Sequence, residues 1–378
     1  MHRRRFLETS LQIGGLLTGA HAIACPPSAA DAESPLRPRS ATPVVDAYSA
    51  CVNLDELEKG RINVVIQAVT SEELLVRIPP NSGSVAPPPG LDIWENVFHG
   101  KDAVTRVGQY IDEELQHIAA NPDRIALATS TVDARKIVAD GKIALILMLK
   151  SGWINNDLEV LRMYHQRGIR VMAPCHLASF DWSDSSAELR ETPGLSDFGR
   201  GDTRECNPLA TLADPSHAPD APPWHALETT DRPVIATHSR CRTFSDSMRD
   251  LTDDMLVAIA RTGGVSAILA ATPRTGAEVT QARLKRDRAL AENYPDPFEL
   301  AAAKRQDAIV WGTKLNLQHI DHAVQTAGIN HVAIASHCQS VPQWREFADT
   351  LTTHGYRADE TEKLLGGNVL RVLEETIG

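Results

Sequence analysis

Four apolar runs of this 378-residue chain end in histidine: VMAPCH (171–176), LADPSH (212–217), VIATH (234–238) and VAIASH (332–337). Histidine is one residue in 27 overall, 14 of 378, so four at the ends of separate apolar runs argue for convergence on one site. Neutral imidazole is the commonest protein metal ligand, and it titrates near neutral pH. His176, His217, His238 and His337 are therefore candidates for metal binding, substrate contact and proton transfer, although any one alone reads as a hydrogen-bonded core residue.

The elements that must position these residues are legible as short apolar runs separated by helical patterns. Runs occur at Val44–Ala47, Ile62–Val69, Ile125–Thr129, Ile143–Leu149, Ile169–Ala173, Leu209–Ala213, Val234–Thr237, Val265–Ala270 and Val332–Ala335, the form of buried parallel strands. Helical spacing over Ala103–Asn121, Leu158–Arg167, Asp253–Thr262 and Gln318–Ala327 supplies the crossovers that parallel strands require. The expectation is an α/β fold, a (β/α)8 TIM-like barrel, whose chemistry sits at the carboxyl ends of the strands. Nine runs for eight places put one strand outside the barrel, and Ile125–Thr129 is assigned there. The stretches Arg77–Gly90, Pro208–Pro223 and Thr272–Ala302 read as loops or excursions over a rim.

The first residues differ from the rest. Arg3, Arg4 and Arg5 precede a mildly apolar run from Leu11 to Ala24, too short and Gly-rich for a membrane span of about 20 residues. Residues 1–24 resemble a twin-arginine export signal, 25–43 a Pro/Ala-rich tether, and 44–378 a single barrel domain. The expected location is periplasmic, with membrane attachment only if Cys25 is lipidated. Lys and Arg total 38 against 49 Asp and Glu, a net charge of −11, so nucleic acid is excluded as a partner. The six cysteines lack paired spacing and define no disulfide. Cys175, Cys241 and Cys338 stand beside site histidines, either as soft metal ligands or as buried thiols.

Longer motifs carry a resemblance. The segments PGLSDFGR (193–200), RECN (204–207) and LADPSH (212–217) are similar in order and spacing to the "GLT-x-FG … RE-x-N … DLSH" block of membrane (renal) dipeptidases. PVIATHSR (233–240), RDLTDD (249–254), GINHVAIAS (328–336) and GGNVLR (366–371) resemble that family's remaining segments through to the end of the chain. The resemblance implies an amidohydrolase-type barrel that cleaves dipeptides with two zinc ions. It further implies that His-x-Asp on the first strand, a bridging Glu and two later histidines hold the metals, and that a last-strand Asp moves the proton.

Carried over by position, the later histidines are His217 and His238, and the substrate contacts are His176 and Arg249. The other positions differ: the first strand reads DAYSA (46–50), Lys150 stands for the bridging Glu, and His337 for the final Asp. Loss of three acidic positions argues against a two-zinc centre. An ammonium about 4 Å from a dication costs roughly 8 kcal/mol at an effective dielectric near 20, so protonated Lys150 and a metal exclude each other.

Two readings follow. In one, Lys150 is carbamylated, as in the wider amidohydrolase superfamily that the family resembles. It then joins His217 and His238 around one zinc or other divalent ion, with His337 as the proton shuttle and Lys150 part of the catalytic machinery. In the other, the cavity is metal-free and catalytically inactive. It binds a small peptide-like or amino-acid-derived ligand, or assists an exported maturation pathway. A homodimer is compatible with either.

Overall fold

The computed structural model describes residues 42–50, 52–69, 103–176, 179–187, 194–245, 247–270, 285–286, 288–296, 299–300, 303, 316–337 and 344–378. Among the described residues nine strands appear, all paired in parallel: β1 (Val45–Ser49), β2 (Val64–Val69), β3 (Ile125–Leu127), β4 (Ile143–Leu149), β5 (Ile169–Met172), β6 (Leu212–Ala213), β7 (Ile235–Ser239), β8 (Val265–Leu269) and β9 (Val332–Ala335). Between them run α1 (Leu54–Gly60), α2 (Ala103–Ala120), α3 (Thr131–Ala139), α4 (Leu158–Gln166), α5 (Asp197–Cys206), α6 (Ala221–Thr229) and α7 (Asp253–Arg261). A helical stretch at 316–327 precedes β9. After β9 come α8 (Trp344–His354), α9 (Ala358–Glu362), a π-turn over Lys363–Gly367 and α10 (Asn368–Ile377).

The strands form two sheets, β1-β2-β4-β5-β6 and β7-β8-β9, with β3 off the path. A strand has only two edges, and β2 occupies one edge of β4 from Ala144 to Leu149. On the other edge β3 pairs with Ile143–Leu145, and β5 takes over from Leu147. The short run at 125–127 thus shares an edge and fills no barrel place, as its assignment outside the barrel required.

Side chains stitch the two seams between the sheets. At the β1/β9 seam, Asp46 Oδ1 accepts the Ser336 amide at 2.9 Å, Asp46 Oδ2 meets the Ser336 hydroxyl, and the His337 amide donates to the Tyr48 carbonyl at 3.1 Å. At the β6/β7 seam, Asp214 Oδ1 accepts the Thr237 amide at 3.1 Å, and Ser216 Oγ accepts that of His238 at 3.2 Å. The result is an eight-stranded α/β barrel.

Period-two alternation separates inside from outside. Val64, Ile66 and Ala68 of β2 and Ala144, Ile146 and Met148 of β4 belong to the inner cluster. Val65, Val69, Leu145, Leu147 and Leu149 belong to the cluster that includes Val107, Ile111 and Leu161 of the surrounding helices. Lys150 continues the inward parity of Met148 at the carboxyl end of β4. The opposite end is closed by α10: Asn368 Nδ2 donates to the Val332 carbonyl, Arg371 Nη1 to Gly263, and the last carbonyl, of Gly378, accepts from Thr131 N.

Two loop expectations need correction. Within Pro208–Pro223 the chain forms β6, where the run at Leu209–Ala213 was expected, and also begins α6, because Pro at the first positions of a helix costs no hydrogen bond. Within Thr272–Ala302, the described residues 285–286, 288–293 and 299–300 are helical, so charged composition there marked a solvated helix. The stretch Arg77–Gly90, the export segment and the tether up to residue 41 lie outside the described residues.

Candidate active site

All six residues singled out for chemistry meet at the carboxyl ends of the strands. His217 and His238 approach most closely, with Nε2 atoms 2.9 Å apart. His176 packs edge-on to His217 at 4.4 Å between ring centroids, and His337 lies 5.9 Å from His238. Arg249, on the loop after β7, donates from Nη2 to the His238 carbonyl at 2.7 Å and stands 3.2 Å from His217 Nε2. Tyr48 of β1 stacks on His238 at 3.6 Å with planes 9° apart, and Lys150 Nζ lies 4.6 Å from the centre of the Tyr48 ring.

Tyr48 is the contact that residue types alone did not single out, because it stands where the resemblance implies a ligand. Its signal was its place on an inward-facing strand end. Asp214 and Thr237 were also missed as functional, though both lie inside the histidine segments.

Burial sets the electrostatics. His176, His217 and His238 are held well below the usual imidazole range, first by burial; for His217 and His238 the Arg249 charge comes next, with Lys150 contributing, and for His176 the neighbours are His337 and then Arg249. These three rings are neutral at pH 7 and have lone pairs to offer. Burial also lowers Arg249, opposed by Asp250. Asp46 is raised to about 7 by burial, against the bonds it accepts from Ser336 and the Tyr48 amide. Its carboxylate faces the seam, so it is committed to Ser336. Asp214 is raised by burial and opposed by Ser216 and Thr237.

A metal here depends on its donors. The 2.9 Å separation of the two Nε2 atoms is less than twice the ordinary zinc–nitrogen distance of about 2.0–2.1 Å, so one ion can take both. Among the described residues no group of three His, Cys, Asp or Glu side chains converges closely enough to hold a metal, and a metal pair would call for several carboxylates. The thiols do not help. Cys241 is pushed up to about 12 by burial and bonds the His319 carbonyl, and burial raises Cys175 as well. Cys338 lies outside the described residues.

Backbone conformation adds a local mark. His217 and His337 have positive φ, 69° and 55°, a region that costs a non-glycine residue about 1–3 kcal/mol and clusters at functional sites.

Residues 42–377 match the family model of membrane dipeptidase, peptidase family M19, a metal-dependent peptidase family. Dipeptidase 3 of Rattus norvegicus is 24% identical over 291 residues, 73% of this chain. Dipeptidase ataJ of Aspergillus terreus is 25% identical over 298 residues, 71% of this chain and 66% of that protein. The chain spans about half the length of the rat protein, 53%.

Among solved structures, the probable dipeptidase PvdM from Pseudomonas aeruginosa superposes with a TM-score of 0.69 at 20% identity, over 89% of this chain and 96% of that one. A metallo peptidase from Rhodobacter sphaeroides, liganded with a phosphinate mimic of L-Ala-D-Ala, gives 0.68 at 19%, over 89% and 99%. With the fold, the strand-end histidines and a family match over nearly the whole described length in agreement, this chain belongs to the membrane dipeptidase family.

Proposed function

We propose that this chain is a hydrolase of a small peptide or amide bond, of dipeptide size, that works with one divalent ion in place of two. The observation that carries the reading is the pair of buried, neutral imidazoles with Nε2 atoms 2.9 Å apart at the mouth of the barrel. His217 and His238 hold the ion. Lys150 completes the set as a carbamate: its neutral amine adds to carbon dioxide, an N–C bond forms, and one proton leaves to solvent. That change replaces a positive charge beside the ion with a negative one.

When bound, the ion supplies Lewis acidity to the amide carbonyl and to a water. The protein's own residues do the rest. Arg249, with His176 beside His217, takes the substrate carboxylate, as a bidentate guanidinium favours. His337, half-buried and 5.1 Å from Tyr48, carries the proton from water to the leaving amine. Tyr48 covers one face of His238 and keeps solvent from it. We extend the proposal to location: the chain acts after export to the periplasm.

A second reading has its own observation. Arg249 already lies against His217 Nε2 and the His238 carbonyl, and Lys150 as an ammonium would add a second cation, a setting for a carboxylate ligand without metal. One experiment separates the two. Purified protein is assayed on dipeptides after chelation and again after zinc or manganese with bicarbonate. Turnover that is lost with chelator and returns only with metal and bicarbonate supports the hydrolase. Dipeptide-dependent thermal stabilisation with no turnover under either condition overturns it and supports the binding role.

A further inference from the structure

Behind the paired histidines runs a chain of hydrogen bonds that the reading above does not use. Asp214 Oδ1 accepts the amides of Ser216 and Thr237 at 2.8 and 3.1 Å, and Oδ2 lies 2.5 Å from the Thr237 hydroxyl. The same hydroxyl oxygen lies 2.8 Å from His238 Nδ1. All three side chains are fully buried. A threonine hydroxyl has one proton and otherwise accepts. Burial raises Asp214, opposed by the bonds it accepts from Ser216 and Thr237, and two amide donors on Oδ1 favour the ionised carboxylate; with that carboxylate ionised, Thr237 gives its proton to Asp214 and has only a lone pair for His238. The ring must then carry its proton on Nδ1 and leave Nε2 bare.

The rest of the surroundings hold the ring in place. Tyr48 stacks on one face at 3.6 Å, and the backbone of His238 is held by Ser216 Oγ at its amide and by Arg249 at its carbonyl. We propose that Asp214 and Thr237 are positioning residues that lock His238 as the Nδ1–H tautomer, its Nε2 lone pair turned towards His217. Strand β7 thus presents a ready ligand without reorganisation. The consequence for metal binding rests on the one-ion reading above; the tautomer itself does not.

The test uses the full chain with ¹⁵N-labelled histidine and no added metal, the His238 signals being identified by their loss in His238→Gln. Wild type should show a protonated Nδ1 and an unprotonated Nε2, and Thr237→Ser should retain that pattern. Thr237→Val removes the acceptor and should shift the ring towards Nε2–H. Asp214→Asn should do the same by a different route, because its amide donates to Thr237 and turns the hydroxyl proton onto Nδ1. In a parallel titration with zinc in the presence of bicarbonate, Thr237→Val should weaken binding about 10–100-fold, the usual cost of losing such an outer partner, while Thr237→Ser changes it little. Folded Thr237→Val and Asp214→Asn proteins that keep the wild-type nitrogen pattern overturn the proposal. Absence of zinc binding by wild type, with the nitrogen patterns as expected, overturns only the one-ion reading.

Discussion

At the scale of single residues, the site combines neutral imidazoles with carboxylates turned away from it. Asp46 shows what the seam costs. Its carboxyl is raised from 3.8 to about 7 by burial, so the folded state keeps a proton that the unfolded chain releases. Below about pH 4 both states are protonated and no penalty exists; the penalty grows as pH rises towards 7 and is complete above it. Asp46→Asn keeps the acceptor for Ser336 N and offers a donor to the Ser336 hydroxyl without a charge. Denaturant titrations across pH 4–8 should show the variant gaining stability relative to wild type as pH rises, by at most about 4 kcal/mol. A pH-independent difference would contradict this. The four histidines were legible because each ends an apolar run. Thr237 and Asp214 were not, since hydroxyl-to-ring geometry leaves no mark in composition.

At the scale of elements, the strands and long crossovers were readable from periodicity, and α2, α4 and α7 lie within a residue of their expected bounds. Helices α3 and α5 were not. They follow Ser130 and Ser196, whose hydroxyls cap Asp133 N and Gly199 N, a signal that competes with turn formation. Strand β6 shrinks to two residues because Asp214 supplies through its side chain the bonds a longer strand would make. The closing helix depends on one close approach. A Cβ at Gly366 would lie 2.2 Å from the Pro43 carbonyl oxygen and 3.0 Å from Val45, backbone that cannot yield without moving β1. Gly366→Ala should therefore destabilise by about 1–3 kcal/mol or more, read as a lower denaturation midpoint. An unchanged midpoint would show that this end of the barrel is loosely packed.

At the scale of the whole molecule, the barrel carries two basic side chains at its mouth: Lys150 and Arg249 stand beside neutral rings in a chain of net charge −11. The barrel architecture was legible because it rests on repeated patterns along the chain. The chemistry was only partly legible because it rests on a few positions and on the covalent state of one amine. The export proposal has a direct check: Arg4→Lys with Arg5→Lys should retain the full-length chain in the cytoplasm, whereas wild type should accumulate in the periplasm shortened by about the first 24 residues, as signal removal requires. Equal export of both would refute the twin-arginine route. The central claim is a single ion on His217, His238 and modified Lys150, and it is tested most directly by metal stoichiometry after equilibration with zinc and bicarbonate and removal of excess. One zinc per wild-type chain, lost in Lys150→Met, is the predicted result. Two zinc ions per chain, or one retained equally by Lys150→Met, would contradict it.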